Sequence, residues 1–322
     1  KHQRYFPVEK DGQLLPVVIT VRKGDDQHLD VAAAGNEAVV AARFADAAFL
    51  MEKDLKTPLA EFVPQLATLT FQQELGSMLD KTERITALVA DLAAMLPVSA
   101  DEQQAAERAA QLAKADLVTD MVVEMTSLQG VMGEKYALAA GEPAAVATAI
   151  REHYLPAGAG DAAPESKAGL LVGMADRLDS LAGLFAAGLA PTGSKDPFAL
   201  RRAALGLIHN LVTWELDFDL HAGLTAAAKR LPIPASEAHL SEAFDFIVGR
   251  LRVHLIDAGH AYDVVDAVLA EQGGNPSAAA AAVVALGEYT RREDWAHILD
   301  TYARCVRITR DQDERYAVDA SI

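Results

Sequence analysis

The sequence predicts a mainly α-helical protein with a short N-terminal β-hairpin. Three observations carry this. Apolar residues make up 51% of the 322 positions but aromatics only 6%. Alanine supplies much of the difference, and alanine favours close-packed helices over a sandwich or barrel. From about Gly35 onward apolar residues recur at helical spacing. Only the first thirty residues are β-branched and alternate around an Asp-Gly turn. A chain of this length can build two or three domains.

Arg4–Val8 and Leu14–Val21 flank Asp11-Gly12 and read as the hairpin. A lone hairpin is marginal in water, so it is expected to be the edge of a domain lying upstream, and the chain a piece of something longer. Asn36 is expected to cap a helix over 36–50 that places Val40, Phe44, Ala47 and Ala48 on one face. Further helices are expected over 79–96, 101–124, 142–152, 166–188, 197–214 and 216–229. Breakers stand at Pro97, Gly141, Pro156–Pro164 and Pro191–Gly193. Leu231-Pro232-Ile233-Pro234 reads as a domain boundary. Beyond it Ser236 opens a helix with Leu240, Phe244, Ile247, Val248, Leu251 and Leu255 as its buried stripe. A helix over 261–271, a Gly273–Pro276 break and helices to Arg310 follow.

The 29 basic and 46 acidic residues give a net charge of −17. That argues against a generally basic nucleic-acid surface and against DNA as a partner, but it leaves room for a local basic patch. The single cysteine, Cys305, excludes an intramolecular disulfide and a cysteine-based zinc cluster; it suits a reducing, cytoplasmic setting. No run of eighteen apolar residues lacks a charge, so no membrane span is expected. There is no phosphate-loop motif and no HExxH. Gly158-Ala159-Gly160 lacks the preceding strand that a dinucleotide fingerprint needs, and reads as a loop. The histidines, His153, His209, His221 and His254 among them, read as core or surface side chains.

Three constellations could carry chemistry. Asp116, Asp120 and Glu124 are spaced by four and would share a helical face. Met174, Leu178, Leu181 and Phe185 form an apolar stripe from which Asp176 and Asp179 face away. Carboxylates from the two helices could hold a hard cation; as solvated faces or partners of Lys114 and Arg177 they would have no such role. Third, Pro191–Arg202 places Lys195, Arg201 and Arg202 at a helix start, with Asp196 as cap and Pro197 in the first turn. Cations, free N–H groups and the helix dipole suit a phosphate. Arg201 and Arg202 lie about 100° apart on a helix, so one is expected to face phosphate and the other to pair with Asp176 or Asp179.

The block PTGSKDPFALRRAAL at 191–205 strongly resembles the signature of the β subunit of bacterial heterotetrameric glycyl-tRNA synthetase. His2–Pro7, Gly35–Glu37, Ala115–Thr119, Leu128–Gly130, Glu152–Pro156, Ala175–Asp179 and Phe246–Leu251 agree in order. The resemblance implies a non-catalytic piece of that subunit, which serves tRNA(Gly) binding and assembly with the α subunit. ATP, Mg and glycine activation would belong to the α subunit, and no cofactor to this chain. It implies the end of an upstream β-containing domain (1–34), a helical HD-like domain (35–230) and a second helical domain leading to the anticodon-binding domain (235–322). Lys195, Arg201 and Arg202 are the expected tRNA contacts, with Arg304, Arg307 and Arg310 as a second patch. Active HD phosphohydrolases carry a His-Asp pair; here it is Ala115-Asp116, with no histidine between Thr57 and Lys114. Asp116 and Asp176 remain as degenerate positions, and no metal is expected. The alternatives are a metal-dependent phosphohydrolase using those two aspartates, or a pure assembly scaffold.

Overall fold

Fourteen α-helices and four short strands make up the described residues, 5–25, 27–158 and 160–310, of the computed structural model. Strands β1 (Tyr5–Lys10) and β2 (Gln13–Thr20) pair antiparallel, with Lys10 opposite Gln13. Asp11 and Gly12 both take positive φ, 53° and 74°, as the two-residue turn that matches strand twist requires. Arg4 of the expected strand, Ala159 of the expected loop and everything after Arg310 lie outside the described residues.

Helix α1 (Leu29–Asp54) starts seven residues before the expected cap. Leu29 and Ala32–Ala34 are good helix formers and Asp30 suits the first turn. Asn36 therefore caps nothing. It lies inside α1, where it accepts from the Tyr5 hydroxyl (3.1 Å) and donates to Thr20 Oγ1 (3.3 Å), which ties the hairpin to the helix.

Then come α2 (Leu59–Phe62), β3 (Thr70–Gln72), β4 (Gly76–Ser77), α3 (Met78–Ala93) and α4 (Ala100–Leu112). Ser77 with Asp80, and Ser99 with Glu102, form capping boxes that start α3 and α4. The expected helix over 101–124 stops at Leu112. The Thr119 hydroxyl donates to the Asp116 carbonyl (2.7 Å) and accepts from Val122 N–H, so a short 3₁₀ turn and then α5 (Asp120–Glu124) replace it. Local side-chain bonds of this kind compete with a continuing helix. Helix α6 (Val131–Ala139) was hidden between glycines.

Next are α7 (Ala144–Glu152), α8 (Lys167–Ala186), α9 (Leu200–Thr213) and α10 (Leu220–Ala228). Pro197 is not the first residue of α9. The chain turns through Ala199 at φ 56°, and the Asp196 carboxylate accepts from Leu200 and Arg201 N–H at 2.8 and 2.9 Å. The helix expected from Leu216 begins at Leu220, where Asp219 provides the side-chain cap. Helices α11 (Glu237–Asp257), α12 (Tyr262–Gln272), α13 (Pro276–Tyr289) and α14 (Trp295–Thr309) complete the chain, with Ser236 and Asn275 as caps.

Helix α8 is the centre. Sixteen of its twenty residues are buried, as a helix apolar on every side must be. It packs on α3, α4, α7, α9, α10 and α11. Helix α11 buries Ala243, Ile247, Leu251 and Leu255. They belong to the same hydrophobic core as α8, so the segments on either side of Leu231–Pro234 share one interior. Helix α14 buries nothing among the described residues.

Candidate functional site

Lys81 and Arg84 sit three residues apart on α3, and Asp176 and Asp179 three apart on α8. The equal spacing lets the two pairs meet side by side. Arg84 grips Asp179 with Nε and Nη2 (2.6 and 3.2 Å) and also donates to the Leu75 carbonyl (2.9 Å). Lys81 bridges the two carboxylates, 2.9 Å from each, and donates to the Ser180 hydroxyl. Asp179 is 1% exposed. Asp179 is therefore turned into the protein, because the side of α8 away from the apolar stripe of Met174, Leu178, Leu181 and Phe185 is buried as well, whereas Asp176 keeps 17% of its side chain exposed.

Lys114, just beyond α4, closes the cluster. Its ammonium donates to Asp176 Oδ2 (2.7 Å) and His153 Nε2 (2.9 Å), and lies 4.1 Å from the Tyr154 ring centre. An ammonium has no acceptor, so His153 Nε2 must accept, and Nδ1–H donates to the Ile150 carbonyl (2.6 Å). His153 is thus held neutral. Burial, then the Lys114 charge, hold its pKa well below the ordinary value. Burial would raise Asp176, but Lys114 and Lys81 outweigh it and hold that carboxyl well below the usual range.

Arg177 crosses a slot left by two glycines. A Cβ at Gly173 would meet its Nη1 at 2.8 Å, and one at Gly206 its Nε at 2.7 Å. Its guanidinium donates to the carbonyls of Gly173, His153, Tyr154, Leu155 and Pro156. Asn210 Nδ2 adds a bond to Leu155 O (3.1 Å). These contacts fix the chain reversal after α7. Arg177 therefore does not pair with a carboxylate, the partner proposed from its position.

Asp116 is fully buried. Its Oδ2 accepts from Gly130 and Gly133 N–H (2.6 and 3.0 Å), and its Oδ1 has no partner. Burial pushes its pKa up to about 6 against those bonds and the Lys114 charge. Asp120 instead pairs with Lys53 at 2.6 Å outside. Asp116, Asp120 and Glu124 thus do not share a face, because the helix that would align them is broken. Among the described residues no three His, Cys, Asp or Glu side chains converge to hold a metal ion.

Over this cluster lies an open cleft of about 410 Å³. Its walls include Gln129, Tyr154, Asp176, Phe198 and Arg202. Arg201 is half-buried and structural: it donates to Gly193 O (2.7 Å) and lies 3.9 Å from Asp196, rather than reaching Asp176 or Asp179. Arg202 and Lys195 are exposed and make no ion pair or side-chain hydrogen bond with described residues. Arg304 pairs with Asp300 (2.7 Å), Arg307 donates to Ala303 O, and Arg310 follows the end of α14; all three are exposed and distant in sequence from the cleft.

Sequence reasoning missed the roles of Lys81, Arg84 and His153. The signal was available: K-x-x-R on α3 matches D-x-x-D on α8.

A family model described as glycyl-tRNA synthetase beta subunit matches residues 1–270. The chain is 44% identical to the glycine–tRNA ligase beta subunit of Moorella thermoacetica, over 98% of this chain and 46% of that protein. With the protein of the same name from Acaryochloris marina it shares 49% over 84% of this chain and 39% of the relative. With that from Desulforudis audaxviator it shares 42% over 97% and 46%. The chain spans less than half the length of these relatives.

Proposed function

This chain belongs to the glycyl-tRNA synthetase beta-subunit family, and from that membership we propose that it recruits tRNA(Gly) and joins an α subunit without performing the chemical step. Its partners are that subunit, in a cytoplasmic heterotetramer, and tRNA rather than DNA. ATP and Mg belong to the α subunit. The region over 35–230 uses an HD-like scaffold for architecture.

One observation carries the reading. In a chain of net charge −17, Lys195 and Arg202 stand exposed and unpaired with described residues beside the turn before α9. They lie in the block PTGSKDPFALRRAAL. Buried cations elsewhere are matched by carboxylates, imidazole or carbonyls; these two are available to phosphate. Arg201 supports the turn by holding the Gly193 carbonyl. Arg304 and Arg307 on α14, with Arg310 just after it, form a second, weaker patch.

Two assays test the reading together. The 322-residue chain is expected to bind a tRNA(Gly) transcript at low salt and to show no glycine-dependent pyrophosphate exchange. Exchange activity that survives further purification, or no binding of tRNA at low salt, overturns it.

A further inference from the structure

Resting on the tRNA-binding reading, we propose that the cleft between α8, the loop before α6 and the start of α9 takes one unpaired nucleotide of an RNA, with its phosphate on Arg202 and its base against Phe198. The cleft is about 410 Å³, toward the lower end of the ~300–1,000 Å³ range of small-ligand sites. Its floor is chemically occupied. Asp176 is held by two lysines, His153 by Lys114 and a carbonyl, and Arg177 by five carbonyls.

What remains free on the walls is a short set. The Arg202 guanidinium has no partner among the described residues. Phe198 is 37% exposed. The Gln129 side chain is exposed and makes no hydrogen bond to described residues. The Tyr154 hydroxyl is buried and unpartnered.

These groups fit the parts of a nucleotide. A guanidinium fork matches a phosphate. An aromatic face takes any base. An amide both donates and accepts, as a base edge requires. The charge supports the same reading. Among the charged side chains that line the cleft, Arg177 and Arg202 outnumber the single carboxylate Asp176. This local excess sits in a chain of −17 and draws an anion to this point of an otherwise repelling surface. A base already paired in a duplex has its edge engaged and its face stacked, and does not enter.

The test is competition for a labelled tRNA(Gly) transcript bound to the 322-residue chain. The competitors are an unpaired hexanucleotide, the same strand in a duplex, AMP and inorganic phosphate. The single strand is expected to compete and the duplex to fail. Arg202→Ala and Phe198→Ala should each weaken both tRNA and hexanucleotide binding about tenfold, as loss of one stacked or phosphate-bound nucleotide does. Arg202→Lys should fall between, since it keeps the charge and loses the fork. Lys195→Ala should weaken tRNA and leave the hexanucleotide unchanged. If wild type binds tRNA but the Arg202 and Phe198 variants bind the hexanucleotide unchanged, the cleft assignment is wrong while the tRNA reading stands. If wild type binds no tRNA, the reading beneath it fails too. If AMP or phosphate displaces the probe and the hexanucleotide does not, the cleft serves a free small anion and the proposal is overturned.

Discussion

The α3–α8 seam and the turn before α9 use the same residue types for opposite ends. In the seam and beside it, Lys81, Arg84, Lys114 and Arg177 are all less than 9% exposed, and each is answered by a carboxylate, imidazole or row of carbonyls. At the turn, Lys195 and Arg202 are exposed and unanswered by described residues, while Arg201, their neighbour in sequence, is pinned to Gly193 and Asp196. Burial decides the role. A cation out of water must have a partner or lose its charge, whereas one in water is free for a ligand.

The sharpest way to break this comparison is to remove a buried partner. Asp179→Ala leaves Lys81 and Arg84 without their shared carboxylate, and unfolding by denaturant should show a loss of about 3–5 kcal/mol. A loss under about 1 kcal/mol would mean that water reaches the seam and that its cations are no different from those at the turn.

The second test uses pH. Asp116 has its folded pKa raised to about 6 from 3.8. A carboxyl with a raised pKa binds its proton more tightly when folded. Its stabilising contribution is present below about pH 4 and is lost as pH rises through about 6. Asp116→Asn has no proton to lose. Relative to wild type it should therefore gain stability between pH 4 and pH 7, by on the order of 3 kcal/mol. Parallel melting curves across that range would show that Asp116 titrates normally.

A third variant probes the slot over Arg177. Gly206→Ala places a Cβ 2.7 Å from the Arg177 Nε and should cost about 1–3 kcal/mol. Gly249, also in a helix, has nothing within 4 Å of a Cβ. Its alanine variant should be neutral or more stable by up to about 1 kcal/mol. Equal effects at the two glycines would remove the slot from the account. The smallest effect belongs to Arg304→Ala on α14, where an exposed i,i+4 pair with Asp300 is worth about 0.5 kcal/mol or less.

Periodicity and capping residues made the fold class legible, and they placed α3, α8, α9 and α11 to within a few residues. What they could not reveal was the break after Leu112. Helical spacing continued through Asp116 and Asp120, but the Thr119 backbone is extended and its hydroxyl accepts from Val122 N–H, the bond of a new helix start and not of a continuing helix. The same local chemistry hid α6 behind two glycines. At the site, residue types identified Arg202 and Asp176, but not their surroundings. Asp176 is bound to two lysines that lie 62 and 95 positions upstream. Adjacent arginines at 201 and 202 differ only in which side of one helix start they leave from, and a sequence does not say which side meets water.

The most direct test of the division between buried and available cations is the salt dependence of tRNA(Gly) binding for wild type, Arg202→Ala and Arg201→Ala. A phosphate contact releases counterions, so removing one lowers the slope of log K against log salt by about one. The account predicts that drop for Arg202→Ala, with the thermal melt unchanged. For Arg201→Ala it predicts an unchanged slope and a lower melting temperature. An unchanged slope for Arg202→Ala would contradict it.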